Sequence, residues 1–314
     1  MKKLIEEFLN KRENQILLCV ILLGLIIRLY FFFKTFNQSL WWDEADYMAL
    51  AKSFTLGTPE MTAPWRARGM SVIFGILYYF GANEIFNRLV IVAFSTAAVY
   101  ITYLFGKEMY TKKVGLIAAV LMSFLWIHLF WATRFSAETM GLVFFGAAAY
   151  LFWKGYVKNE NKWYTIISGA LIGYGIFLYE SVASILLFLF VFLLVTEKFK
   201  FLKNKKFWYG LLGLTLILCL VFMYYYSIYG QIFPRVNRII EGSLSEGAEL
   251  DQKLATEGIW SVIKTSFTFI VYMPDYLRWP LLIFFCIGLT KFLDLILGFD
   301  ILIKNNDEKL KKDF

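Results

Sequence analysis

The chain has 314 residues, 59% hydrophobic and 20% aromatic, with a mean hydropathy of +0.60 and a formal net charge of +8. Soluble domains are about 45–50% apolar and have little use for repeated apolar runs of twenty residues. The composition therefore excludes a soluble enzyme or a nucleic-acid-binding module and points to a polytopic membrane protein, where the placement of Lys and Arg matters more than their sum. Runs long enough to cross a hydrocarbon core of ~30 Å are expected, in chain order, at 16–36, 85–104, 114–131, 139–153, 163–179, 182–195, 207–226 and 281–303. A further stretch, 259–273, contains Lys264 and several hydroxyls and reads as interfacial.

Charge tests that count. With the N-terminus in the cytoplasm, the inner segments carry 19 Lys and Arg residues and the outer ones 9. Each inner loop is short and basic, as the positive-inside rule requires, and EKFKFLKNKK is the strongest anchor. The expected architecture is all-α: one membrane domain over 1–314, about eight transmembrane helices, both ends cytoplasmic, in the cell membrane. Two long loops, 37–84 and 227–280, then face outward, the first with short interfacial helices. No small-residue cleavage site follows the first span, which is expected to stay as an anchor. Cys19, Cys219 and Cys286 lie within spans and read as inert small hydrophobes.

At the outer end of the first span stands WWDEADY, residues 41–47. Trp and Tyr favour the membrane interface, which accounts for Trp41 and Trp42 in part but not for Asp43, Glu44 and Asp46 together. DEADYMALAKSF reads as a helix, with acids favoured at its start by the dipole. On it Asp43 and Tyr47 share a face, and Asp46 lies three residues from Asp43. On these residues alone, Asp43 is as readily an N-cap as a catalytic group. The next outer turn, WATRFSAETM, places Arg134 and Glu138 four apart, on one face of a helix. An exposed pair of that kind is worth roughly 0.3–0.5 kcal/mol. The turn is tight, however, so both charges sit near the bilayer boundary, where ionisable groups are costly and usually functional. FLYESVAS, tighter still, carries Glu180. Three turns on one side of the membrane thus offer acids, either to a shared cavity or as separately solvated groups.

The long first span, WWDEADY at its end, ANEIFNRLV opening the second span and TRFSAE before the fourth resemble the GT-C glycosyltransferases. The nearest branch is the group of protein O-mannosyltransferases and aminoarabinose lipid A transferases. The likeness covers about 16–226, and DE with a Tyr three residues after the Glu is its most specific piece. It implies a polyprenyl-phosphate-linked sugar donor used outside the cytoplasm. It also implies that Asp43 matches the catalytic acid of the first loop, Glu44 its neighbour, Glu138 the acid of the second outer turn and Arg134 the arginine before it. Arg88 matches an arginine at the start of the second span. Two departures stand out: members often carry a Lys near the outer end of the fifth span, where this chain has YES with Glu180, and a Pro-Pro segment of the first loop is here TAPWRARG. Relatives commonly run longer, so a minimal member, a fragment or one half of a larger assembly are all expected forms.

The chemistry suits these residues. A sugar phosphate already carries its leaving group, so expulsion needs a cation more than a general acid. Arg supplies a planar fork for phosphate. The acceptor, an extracytoplasmic hydroxyl on protein, glycan or lipid, needs a base within hydrogen-bond reach. Asp43 is the expected base, with Glu44 orienting it or a nearby loop. Direct displacement inverts the anomeric centre, whereas retention needs a second carboxylate as nucleophile. Tyr47, Arg66, Arg68 and Glu180 complete the expected binding set, although for Arg66 or Arg68 of APWRARGM taken alone snorkelling at the interface is the favoured reading. Asp43, Glu138 and Glu180 are a possible hard-oxygen set for a divalent ion, and no other cofactor is expected. His128, alone in the third span, reads as a packed side chain. Arg28 lies deep in the first span and requires a partner. The competing reading is a non-catalytic flippase or scaffold subunit for lipid-linked sugars, or a truncated member of the family. A transporter places its charges near the midplane beside interrupted helices or repeats, whereas these acids sit at helix ends.

Overall fold

Long apolar stretches buried in lipid must satisfy their own backbone hydrogen bonds, and the α-helix does so within one segment. The structure, a computed structural model, describes residues 11–58 and 66–232, all within one compact unit, Met1–Glu241. Among these residues every regular element is helical. In chain order they are α1 (Arg12–Thr35), α2 (Trp42–Leu56), α3 (Gly69–Tyr79), α4 (Glu84–Met109), α5 (Lys112–Phe124), α6 (Trp126–Trp131), α7 (Ala137–Phe152), α8 (Lys162–Leu178), α9 (Ser184–Glu197) and α10 (Lys205–Tyr229). A π turn, Trp153–Val157, extends α7, and 3-10 turns, Glu180–Ala183 and Lys198–Lys203, flank α9.

Among the described residues five helices are long and apolar enough to cross a membrane: Arg12–Thr35, Glu84–Met109, Ala137–Val157, Ser181–Lys203 and Lys205–Tyr229. The expected fifth span is α8, with 17 residues. The expected third span is not one helix but two pieces, α5 and α6, broken at Leu125 (φ −61°, ψ 109°). The expected span at 281–303, most of the loop at 227–280 and the stretch at 259–273 lie outside the described residues. The short helices anticipated in the first long loop correspond to α2 and α3.

Capping residues set the boundaries. Asn83, Thr111, Ser136, Asn161 and Asn204 each accept a backbone N–H from the first turn of the helix they open, which satisfies one of its orphan donors. Contacts between helix ends then show that the helices alternate in direction. At one end, Glu13 pairs with Lys112 (2.7 Å), Lys158 with Glu108 (2.6 Å), and Lys206 Nζ donates to the Tyr156 carbonyl (2.9 Å). At the other, Thr35 meets Thr133 (3.0 Å), Arg88 donates to the Gln38 carbonyl (3.0 Å), and Tyr174 Oη donates to the Gly69 carbonyl (2.9 Å).

The bundle is apolar outside as well as inside. On α1 only Leu17, Gly24, Arg28 and Phe32 are buried, a narrow stripe at spacings of seven and four residues, while Leu22, Leu23, Ile26, Tyr30 and Phe33 are exposed to what would be lipid. Small residues set the closest helix contact. A Cβ on Gly169 of α8 would run into the Gly210 carbonyl of α10, and one on Gly213 into the Ile166 carbonyl. Glycine is therefore required where these two backbones touch.

Arg28 finds its partner without a carboxylate. Its Nε donates to Ser95 Oγ (2.7 Å) and one terminal nitrogen to the Gly24 carbonyl (2.8 Å), while the fork reaches the Met122 and Ser123 carbonyls at 3.5 Å. Those carbonyls belong to the last turn of α5, which the break at Leu125 leaves without helical donors. Ser95 in turn contacts His128 Nε2 (3.0 Å), so the lone histidine is a buried hydrogen-bonded side chain, in line with its sequence reading.

Candidate active site

The first turn of α2 builds the site. Its N-cap is Trp41, whose side chain has no oxygen to offer the helix. Glu44, three residues on, folds back so that Oε2 accepts the Trp41 N–H at 2.7 Å, half of a capping box. Its other oxygen accepts the Phe135 N–H at 3.0 Å. One carboxylate, 3% exposed, thereby joins the first long loop to the turn before α7.

Arg134 stands in that same turn. Its guanidinium lies 3.8 Å from the Trp41 ring centre and 4.6 Å from that of Phe130, with a terminal nitrogen 4.0 Å from Glu44 Oε2. Two aromatic faces and a buried carboxylate hold the cation. The expected Arg134–Glu138 helical pair does not form. Ser136 caps α7, accepting the Thr139 N–H (3.4 Å) and donating to Glu138 Oε2 (2.8 Å), so the helix begins at Ala137 and Arg134 is left outside it. Rings and a buried acid there offer Arg134 more than an exposed neighbour on a helix surface can.

Asp43 takes no part in the contacts of Glu44. It is not the N-cap but the second helical residue, with its side chain 62% exposed. Arg66 forks between it and Asp46, at 2.8 and 2.7 Å, and also lies 5.8 Å from the centre of the Tyr47 ring. Tyr47 is buried, and burial pushes its phenol up to about 12; Arg66 opposes the shift, while Glu138 and Asp43 reinforce it. Asp43, Tyr47, Arg66 and Glu138 therefore share one electrostatic neighbourhood, and the phenol is a hydrogen-bond donor at neutral pH.

Arg88 braces this region from α4. Buried, it donates to the Thr133 and Gln38 carbonyls (3.3 and 3.0 Å), reaches Glu84 at 3.4 Å and lies 5.0 Å from the Phe135 ring centre. Arg68 is placed differently. It is wholly buried at the entry to α3, 4.7 Å from the centre of the Tyr229 ring. Glu180 lies in the 3-10 turn after α8, with its side chain outside the described set. Among the described residues no group of three or more His, Cys, Asp and Glu side chains is placed to hold a metal ion.

Sequence reasoning assigned Trp41 to the interfacial belt and overlooked Phe130 and Asp46 as partners. The available signal was Glu44 at the third position after a residue that cannot cap, the spacing at which a carboxylate returns to the N-cap amide.

Apolar helices of alternating direction, with carboxylates and arginines gathered at one end, are consistent with an integral membrane glycosyltransferase of the GT-C type, and the family assignment rests on sequence. A family model described as dolichyl-phosphate-mannose-protein mannosyltransferase matches residues 61–225, and the chain belongs to that family. The match takes in Arg66, Arg68, Arg88, Arg134, Glu138 and Glu180 and begins after the Asp43–Glu44 motif. Neither a curated protein nor a solved structure is similar enough to the chain to add to this assignment.

Proposed function

We propose that the protein transfers a sugar from a polyprenyl-phosphate donor to an extracytoplasmic hydroxyl, with the acid-bearing end of the bundle outside and the lysine-rich end in the cytoplasm. The observation that carries this reading is the division of labour between two adjacent acids. Glu44 is committed to two backbone amides and faces Arg134, while Asp43 stays exposed beside Arg66. A cation for the phosphate and a base for the acceptor are thus mounted on two segments that the Glu44 carboxylate fastens together, the kind of prior positioning that lowers the entropic barrier to reaction.

Asp43 accepts the proton of the acceptor hydroxyl as its oxygen attacks the anomeric carbon. The bond from that carbon to the phosphate oxygen breaks, and the polyprenyl phosphate leaves with the electron pair. Arg134 faces the charge left on the phosphate, with Arg66 as a second cation. Attack opposite the leaving group inverts the centre. Tyr47 donates a hydrogen bond to donor or acceptor, Glu138 faces the acceptor, and Glu180 is assigned to the substrate-binding set on its sequence position alone. Arg68, fully buried, acts from behind the site on the helices that shape it.

The test is a transfer assay on purified protein with a defined polyprenyl-phosphate sugar and a separate measurement of donor binding. Asp43→Asn preserves size and polarity; it should keep donor binding while transfer falls by on the order of 10²–10⁴, the usual contribution of general acid–base catalysis. Arg134→Ala should weaken donor binding as well. Near-normal transfer by the Asn variant overturns the assignment of Asp43.

A further inference from the structure

Toward the end of the bundle opposite the candidate active site, α9 packs on its neighbours along one narrow side. Only Ile185 and Leu193 are buried among its own residues, while Leu187, Phe188 and Val195 are largely exposed. Between α9 and the α8–α10 pair lies a cleft of about 440 Å³, within the range of about 300–1,000 Å³ typical of small-molecule sites. Ile172, Leu189, Phe207 and Leu214 give it an apolar wall, and Lys206 and Thr165 stand among its few polar residues. The Thr165 hydroxyl is buried and has no hydrogen-bond partner among the described residues. Lys206 donates one of its three protons to the Tyr156 carbonyl.

We infer that this cleft takes one hydrocarbon chain of an anionic glycerophospholipid, with the phosphate held at Lys206. Charge selects this occupant. Residues 198–206 contain Lys198, Lys200, Lys203, Lys205 and Lys206 and no acid, and none of the five forms a salt bridge among the described residues. Glu197, the acid just before them, accepts a hydrogen bond from Tyr156 Oη (3.0 Å). A lysine cluster at a membrane surface attracts anionic headgroups, and Lys206 is the member that lines the cleft. The site holds α9 in place across a gap that the side chains of the described residues leave unfilled, which is a structural role separate from transfer.

The experiment uses the full purified chain, stripped of native lipid and mixed with equal amounts of dioleoyl phosphatidylglycerol and dioleoyl phosphatidylcholine, the bound lipid being counted by native mass spectrometry. Retention should favour phosphatidylglycerol by roughly five- to ten-fold, about what one lysine contact at a membrane surface supplies. Lys206→Gln should remove most of that preference, and Leu214→Trp, which fills the cleft, should lower the retained lipid itself. Equal retention of the two lipids, or retention indifferent to both variants, overturns the inference. So does preferential retention of undecaprenyl phosphate offered as a third competitor. Should Leu214→Trp fail to fold, phosphatidylglycerol with a photoactivatable acyl chain provides the second measurement on the wild-type chain. Labelling must fall on α8, α9 and α10 around Ile172, Leu189 and Leu214; labelling confined to other helices overturns the inference as well.

Discussion

The two ends of the bundle use charge in opposite ways. At the lysine-rich end, ion pairs stitch neighbouring segments with at least one partner open to solvent: Glu13 with Lys112, Lys158 with Glu108 and Lys154 with Glu160. At the other end the charges turn inward. Glu44 and Arg88 are buried and fasten backbone groups distant in sequence, and Arg134 is sheathed by aromatic rings. Exposed pairs are readily replaced by water and salt. A buried charge stripped of its partner has no such replacement. One end therefore tolerates change, while the other is rigid around the acids it leaves exposed, Asp43 and Glu138 among them.

Glu44→Ala is expected to break this contrast most strongly. It strands the Trp41 and Phe135 amides and leaves Arg134 without its carboxylate, a loss of about 2–4 kcal/mol that denaturant unfolding in detergent would measure; an unchanged midpoint would remove Glu44 from its role as a clamp. Gly169→Leu tests the bundle between the two ends. A side chain against the Gly210 carbonyl must force α8 and α10 apart, at about 1–3 kcal/mol, and thermal unfolding would register it. Trp41→Leu keeps an apolar side chain but removes the ring beneath Arg134, at about 0.5–2 kcal/mol. Weaker donor binding should accompany it, measurable as a rise in KM with kcat little changed. Glu13→Gln should do least. The unfolding midpoint should match wild type at every salt concentration, and a clear fall would show that the surface pairs carry more than their exposure suggests.

Much of the architecture was legible because lipid enforces it. A run such as ILLCVILLGLIIRLYFFF has one solution in a bilayer, and Asn83, Thr111 and Asn161 mark helix starts through chemistry confined to a few neighbouring residues. The basic loops predicted which helix ends lie together, and Glu13–Lys112 and Lys158–Glu108 meet accordingly. The WWDEADY and TRFSAE motifs pointed to the family through residue identity alone. The break at Leu125 was hidden, since no Pro or Gly marks it; Arg28 reaches the carbonyls freed there, and that pairing spans two helices distant in sequence. The partner of Arg134 was hidden for the same reason. Periodicity offered Glu138, four residues away, but the Ser136 cap excluded Arg134 from the helix, and the rings of Trp41 and Phe130 with the Glu44 carboxylate came together around it only when the first loop packed onto the second turn. Local patterns thus determined which segments are helical and where most of them begin. Which of two adjacent acids is buried as a clamp and which is left exposed was decided by packing, because burial depends on what the rest of the chain brings alongside.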